Sequence, residues 1–105
     1  MQTERFTAQN STGTILTFAQ SASKGAIVEY VVYDTNNYQR TGQVMASWDS
    51  SGNLVQNEVS TGDLNGSTAG IKLQFSVSGS DLLLRHGITS GTWTGTVTLR
   101  LLGFA

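Results

Sequence analysis

The 105-residue sequence contains no cysteine and no proline and carries few charges. Without cysteine there are no disulfide staples, no thiolate nucleophile and no Cys-type zinc site, and cysteine usage is silent on redox compartment. Without proline, every turn must be made by Gly, Asn, Asp and Ser, and no segment reads as a Pro-rich linker. Charged residues make up 12% of the chain, about half the usual share for a globular protein. Six Lys and Arg against seven Asp and Glu give a formal charge of −1 with no run of either sign. That removes the electrostatic footprint of a nucleic-acid partner or an anionic membrane surface. No apolar stretch approaches the ~20 residues of a membrane span, so membrane insertion is not expected. Met1-Gln-Thr-Glu-Arg5 does not read as a signal peptide.

Hydrophobic residues make up 38% and twelve glycines are present, with Ser, Thr, Asn and Gln filling the surface positions. These proportions predict a soluble single domain over residues 1–105, near the size at which folding alone is marginal and association helps. The stretch Ala26 to Tyr33 (Ala-Ile-Val-Glu-Tyr-Val-Val-Tyr) organises the rest. It is rich in β-branched and aromatic residues and apolar on both faces of the strand it predicts. One face carries Ala26, Val28, Tyr30 and Val32; the other carries Ile27, Val31 and Tyr33, interrupted by Glu29. In a domain this small, the second face has to meet either a covering loop or another chain.

In chain order, Glu4 to Ala8 predicts a short first strand, Thr14 to Ala19 a second, and Gln20 to Gly25 a polar connection. Asp34-Thr-Asn-Asn37 supplies turn residues, so the organising strand folds back on Tyr38 to Trp48. Closing that turn on Asn36 and Asn37 sets Tyr33 opposite Arg40 and Val31 opposite Gly42. Asp49-Ser-Ser-Gly-Asn53 fits a type I turn followed by a left-handed residue, leading to a strand up to Val59. Ser60 to Gly70 is the one long loop-like segment, and it is expected to be the mobile surface loop. Ile71, Leu73, Phe75 and Val77 alternate with polar residues and bury one face. A Gly79-Ser80 connection pairs Val77 with Leu82, Phe75 with Leu84 and Leu73 with His86, leaving Leu83 outward beside Ser76 and Arg85 opposite Gln74. Thr92 to Leu102 is the last strand. Eight short strands with turn signals every 8–12 residues or so predict an all-β, antiparallel β-sandwich, jelly-roll-like, with a small closed barrel as the alternative.

The chemistry is sparse. His86, the only histidine, has no nucleophile or orienting carboxylate signalled beside it and reads as structural. Asp34, Asp49, Asp63 and Asp81 lie in turns, whose own chemistry explains them without catalysis. The Asp49 and Asp63 loops lack a full calcium-ligand series, so no metal or other cofactor is expected. Gly91-Thr-Trp-Thr-Gly95 lacks the lysine of a phosphate loop. Tyr33, Tyr38, Arg40, Trp48 and Trp93 are the candidate ligand-binding set: aromatic rings of this kind form sugar-stacking platforms, although rings this large are more often core.

Gly25-Ala-Ile-Val-Glu-Tyr30, Arg40-Thr-Gly42, Gly70-Ile-Lys-Leu-Gln-Phe-Ser-Val-Ser-Gly79 and Gly95-Thr-Val-Thr-Leu-Arg100 together resemble the small β-sandwich domains of tailed-phage virion proteins. The resemblance spans about residues 24–102 and leaves residues 1–23, the N-terminal strands and connection, outside it. It implies a tail-fibre, tailspike or decoration domain of the virion, assembled in the bacterial cytoplasm. It implies a homotrimer or other homo-oligomer acting in particle assembly or host attachment, with other virion proteins and a host surface glycan as further partners. It supplies no catalytic residue. The subunit-interface candidates are Ile27, Val28, Val31 and Tyr33, with Leu83 as an accessory. The alternatives are a carbohydrate-recognition module using the aromatic set, and a bacterial adhesin or pilus-like module.

Overall fold

The computed structural model describes residues 1–103, which contain eight strands: β1 (Gln2–Gln9), β2 (Thr12–Ala19), β3 (Gly25–Asp34), β4 (Gln39–Trp48), β5 (Leu54–Ser60), β6 (Ile71–Ser78), β7 (Asp81–Ile88) and β8 (Thr92–Leu102). Phe104 and Ala105, included in the expected domain, lie outside the described residues. A 3-10 turn at Gln20–Ala22 fills the connection between β2 and β3. The strands form two antiparallel sheets, one ordered β1-β8-β3-β4-β5 and the other β2-β7-β6. This is the expected all-β sandwich, in two separate sheets rather than a closed barrel. The first two strands lie beside the last two, one pair in each sheet, which is jelly-roll wrapping. Between them β3, β4 and β5 run as a meander in the larger sheet and β6 pairs with β7 in the smaller.

The organising stretch becomes β3, the centre of the larger sheet, flanked by β8 and β4. Its inner residues Ala26, Val28, Tyr30 and Val32 are buried, as are Val44, Val97 and Leu99 on the neighbouring strands. Facing them from the smaller sheet are Leu73, Phe75, Leu82 and Leu84, all fully buried. Each such aliphatic or aromatic side chain contributes about 1.5–3 kcal/mol by leaving water. The β6–β7 hairpin has the expected register, with Val77 opposite Leu82, Phe75 opposite Leu84 and Leu73 opposite His86. Gly79 at its turn has φ +60, which glycine adopts without the strain of a Cβ.

The β3–β4 hairpin differs from the expectation by one residue. Tyr33 lies opposite Gln39, Val32 opposite Arg40 and Tyr30 opposite Gly42. The turn takes three residues, Thr35 to Asn37, rather than two. The Asp34 carboxylate accepts the N–H groups of Asn36 and Tyr38, and Asn37 takes the left-handed conformation at φ 61. Because side chains alternate faces along a strand, a one-residue slip moves Arg40 from the outer face beside Tyr33 to the inner face beside Tyr30. The β4–β5 turn has the same construction, as expected: Asp49 accepts the N–H groups of Ser51 and Asn53, and Gly52 has φ +86.

The connection from Thr61 to Gly70 is a second correction, since it is pinned rather than free. Leu64 exchanges backbone hydrogen bonds with Gln39 at 3.0 and 3.1 Å, and Asn65 donates to the Asn37 carbonyl at 3.0 Å. Gly66 lies flat against the Tyr38 ring, where a Cβ would stand 2.6 Å from ring carbon.

Candidate functional site

The outer face of the larger sheet is where the sequence leaves apolar side chains without an internal partner. Val28 is buried in the core at 0% exposure, so it drops out of the candidate interface. Ile27, Val31 and Tyr33 alternate with the buried residues of β3 and therefore face outward, each half-buried among its neighbours. Strand pairing sets Met45 beside Ile27 and Thr41 beside Val31. Val55 and Val59 on β5, 71% and 53% exposed, carry the apolar surface to the edge of the sheet. Toward the other edge the same face becomes a threonine field, Thr94, Thr96 and Thr98 on β8 against Thr3 and Thr7 on β1. Leu83 alternates with buried Leu82 and Leu84 and lies opposite Thr17 and Ser76, on the outer face of the smaller sheet. It is thus on the far side of the sandwich from Ile27, Val31 and Tyr33.

Met45, Val55 and Val59 were not legible as surface residues. Alternation sets Val55 and Val59 on the face opposite Gln56 and Glu58 without saying which face is inward. The β4–β5 turn decides it, because it sets Leu54 opposite buried Trp48 and so turns Val55 and Val59 out.

The inner face holds one polar cluster, built around Arg40. Its Nε donates to the Tyr30 hydroxyl at 3.0 Å. Nη1 donates to the carbonyl and hydroxyl of Thr68 at 3.0 and 2.8 Å, and Nη2 to the Ile71 carbonyl at 3.1 Å. Glu58 stands 3.8 Å from Nη2 and accepts the Tyr30 hydroxyl. Thr68, itself fully buried, donates to Asp63. Burial raises the Tyr30 hydroxyl above its ordinary value and the bond to Glu58 adds to this, while Arg40 opposes both. The Thr68 hydrogen bond holds Asp63 below the ordinary carboxylate range. The guanidinium carbon lies 5.7 Å from the Tyr30 ring centre, so the Arg–Tyr pair exists with Tyr30 as the ring. Tyr33 has a different arginine, accepting from Arg5 Nη2 at 3.3 Å. Four of the five N–H donors of the Arg40 fork are hydrogen-bonded within this chain, and the cluster ties β3, β4, β5 and the start of β6 to the Thr61–Gly70 connection.

The aromatic set does not form one platform. Trp48, at the end of β4, and Trp93, at the start of β8, lie at opposite ends of the sandwich. Both are buried, and their indole N–H groups donate to the carbonyls of Gln20 and Ser90 at 3.0 and 2.8 Å. Tyr33 is on the outer face, Arg40 in the interior cluster. Tyr38 lines a cleft of about 320 Å³ with Asp34, Ser90 and an edge of Trp93. His86 is packed flat on Phe6, ring centres 5.2 Å apart, with Gly13 leaving room for the imidazole on β2. Its burial lowers its pKa, and the charge of Arg85 adds to this against an opposing contact with the Ser11 backbone. It has no carboxylate or hydroxyl nucleophile as a hydrogen-bond partner among the described residues.

No protein-family model matches the sequence, and no curated protein matches it. In fold, the chain is similar to tailspike proteins of Acinetobacter phages. One is tailspike protein gp49 of Acinetobacter baumannii bacteriophage Fri1, a capsular polysaccharide depolymerase: 15% identity, TM-score 0.48, covering 95% of this chain and 17% of that one. Another is the tailspike protein of Acinetobacter phage vB_ApiP_P1, with 11% identity, TM-score 0.47 and coverage of 94% and 21%. A third is the tailspike protein of Acinetobacter baumannii phage AM24, with 13% identity, TM-score 0.41 and coverage of 95% and 26%. The chain therefore spans about a fifth of the length of these proteins.

Proposed function

We propose that this chain is a non-enzymatic structural domain of a tailed-phage virion, on a tail appendage or decoration, acting in particle assembly or host attachment by self-association. The observation that carries the reading is the outer face of the larger sheet, where Ile27, Val31, Tyr33 and Met45 present apolar surface that no segment of the described chain covers. Buried against a second copy, such a face contributes about 25 cal/mol per Å² of apolar area removed from water. The sequence resemblance over residues 24–102 supports the virion setting. The carboxylates support a non-catalytic role, since Asp34 and Asp49 hold their own turns and Glu58 and Asp63 are tied to Tyr30 and Thr68. The test is solution mass by sedimentation across micromolar concentrations. A homo-oligomer is expected, dissociating in Ile27→Glu and Val31→Glu variants whose circular dichroism is unchanged. A strict monomer across the range would overturn the self-association.

A second reading, glycan recognition, has one observation in its favour: the cleft that sets the Tyr38 ring beside the Asp34 carboxylate. A glycan array separates the two. Binding lost in Tyr38→Ala with the fold intact would establish it, and an empty array would remove it.

A further inference from the structure

A sheet edge exposes unpaired backbone groups, and folded proteins protect such edges with charge, bulges, prolines or a cover. Three of the four edges in this sandwich carry such a device. β1 bears Glu4 and Arg5. β2 has a register shift between Thr14 and Leu16. β6 carries Lys72, and part of its outward backbone is taken by side chains: Gln56 both donates to the Phe75 carbonyl at 2.9 Å and accepts the Phe75 N–H at 2.8 Å, and Arg40 takes the Ile71 carbonyl. β5, the last strand of the larger sheet, has none of these. Its one charge, Glu58, is engaged by Tyr30 and Arg40 within its own chain. Apart from half-buried Leu54, every residue of it is exposed.

The hydrogen-bond phase of β5 is fixed. Thr61 donates to the Thr41 carbonyl at 2.8 Å, so by alternation residues 55, 57 and 59 bond to β4 while 54, 56, 58 and 60 aim their N–H and C=O groups away from it. In agreement, the Glu58 N–H finds only the side chain of Asn57, at 3.0 Å. The sequence of the strand is self-complementary about Asn57. An antiparallel copy centred there sets Val55 opposite the second copy's Val59, Gln56 opposite Glu58 and Leu54 opposite Ser60. Apolar thus meets apolar on the outer face, and the lone carboxylate meets an amide rather than another carboxylate. In this register the outward-aimed groups of residues 54, 56, 58 and 60 fall opposite one another, as a hydrogen-bonded ladder requires.

We infer that β5 is a homotypic joint: a second copy of this chain pairs antiparallel with it about a two-fold axis at Asn57, joining two five-stranded sheets into one of ten. The inference rests on the self-association proposed above and adds to it an edge contact at β5, separate from burial of the outer face at Ile27 and Val31 on β3. It makes the outer apolar face continuous across the joint, from Ile27 and Met45 of one copy through Val55 and Val59 to the same residues of the other.

The absence of native cysteine permits a direct test by single-cysteine cross-linking. At the two-fold, residue 57 faces itself in a non-hydrogen-bonded pair, whose Cα separation of about 4.5 Å lies within disulfide range. Residue 55 of one copy faces residue 59 of the other, but two residues 55 are roughly 14 Å apart at ~3.4 Å per residue. Under mild oxidation, Asn57→Cys is therefore expected to form a covalent dimer. Val55→Cys and Val59→Cys are expected to cross-link only when mixed with each other. Val55→Lys with Val59→Lys is expected to weaken the dimer at least tenfold, with unchanged circular dichroism. A dimer by sedimentation together with this cysteine pattern supports the joint. An oligomer without the pattern overturns the joint and leaves self-association standing, and a strict monomer overturns both.

Discussion

Replacing Arg40 with methionine keeps much of the side chain's length and apolar stem while removing every donor that Arg40 brings to the inner cluster. The loss can be worked from its partners. The Thr68 and Ile71 carbonyls lose bonds of 3.0 and 3.1 Å, the Tyr30 hydroxyl loses one of 3.0 Å, and Glu58 loses its counter-charge at 3.8 Å. A buried polar group left without its partner costs about 1–3 kcal/mol, and breaking a buried ion pair about 3–5 kcal/mol. The Arg40 side chain is 12% exposed but that of Glu58 is 30% exposed, so water reaches the abandoned carboxylate, and Tyr30 still donates to it. The expected destabilisation is accordingly about 2–4 kcal/mol, which lowers the melting temperature by roughly 10–25 °C in a domain of this size. Urea denaturation of Arg40→Met measures it. Limited proteolysis supplies the second readout, because the Thr61–Gly70 connection loses its anchor at Thr68 and should be cut faster. In the double variant Arg40→Met, Glu58→Met, part of the stability should return, since no lone charge is left behind. A loss below about 1 kcal/mol with unchanged proteolysis would refute the assignment of the cluster as the clamp on this connection.

Two further outcomes follow from packing and burial. The pKa of His86 is lowered by burial, so the unfolded chain takes up a proton near pH 6.5 that the folded chain binds only at lower pH. Its contribution to stability is full above about pH 6.5 and declines as the pH falls below it. Urea midpoints at pH 7.5 and 5.5 should fall by less in His86→Gln than in the parent, and an equal fall would exclude the imidazole as the cause. At Gly42, a Cβ would stand 2.6 Å from the Val59 carbonyl oxygen and 2.9 Å from the Tyr30 hydroxyl. Gly42→Ala should therefore cost about 1–3 kcal/mol in thermal or urea unfolding by overpacking against β5; an unchanged midpoint would show that β5 shifts freely.

Local pattern and turn chemistry were enough to place most of the strands. Alternation in Ile71 to Val77 and a Gly-first turn fixed the β6–β7 register, because two hydrophobic patterns had to agree across one short connection. The two Asp-led turns show where legibility stops. Asp49-Ser-Ser-Gly52-Asn53 announces its left-handed residue with a glycine. Asp34-Thr-Asn-Asn37-Tyr38 has the same geometry but places asparagine there, and reading it as a two-residue turn shifts the register by one. That single step decides whether Arg40 is a surface neighbour of Tyr33 or the centre of an interior cluster with Glu58 and Thr68, residues 18 and 28 positions away.

Composition and patterning alone make this chain neutral, polar and all-β without cysteine chemistry, put β3 at its centre, and leave one face of β3 apolar beyond what alternation needs. Those properties are local: they follow from composition, from period-two patterning and from residue type at turns. Which face of β3 is core emerges with the packing of the two sheets. That packing buried Val28, left Ile27 and Val31 outside, sent Leu83 to the opposite surface, and parted Trp48 from Trp93. It also turned Val55 and Val59 outward on an unprotected edge. These outcomes depend on register and on which sheet each strand joins, and both are set by contacts between residues far apart in the chain.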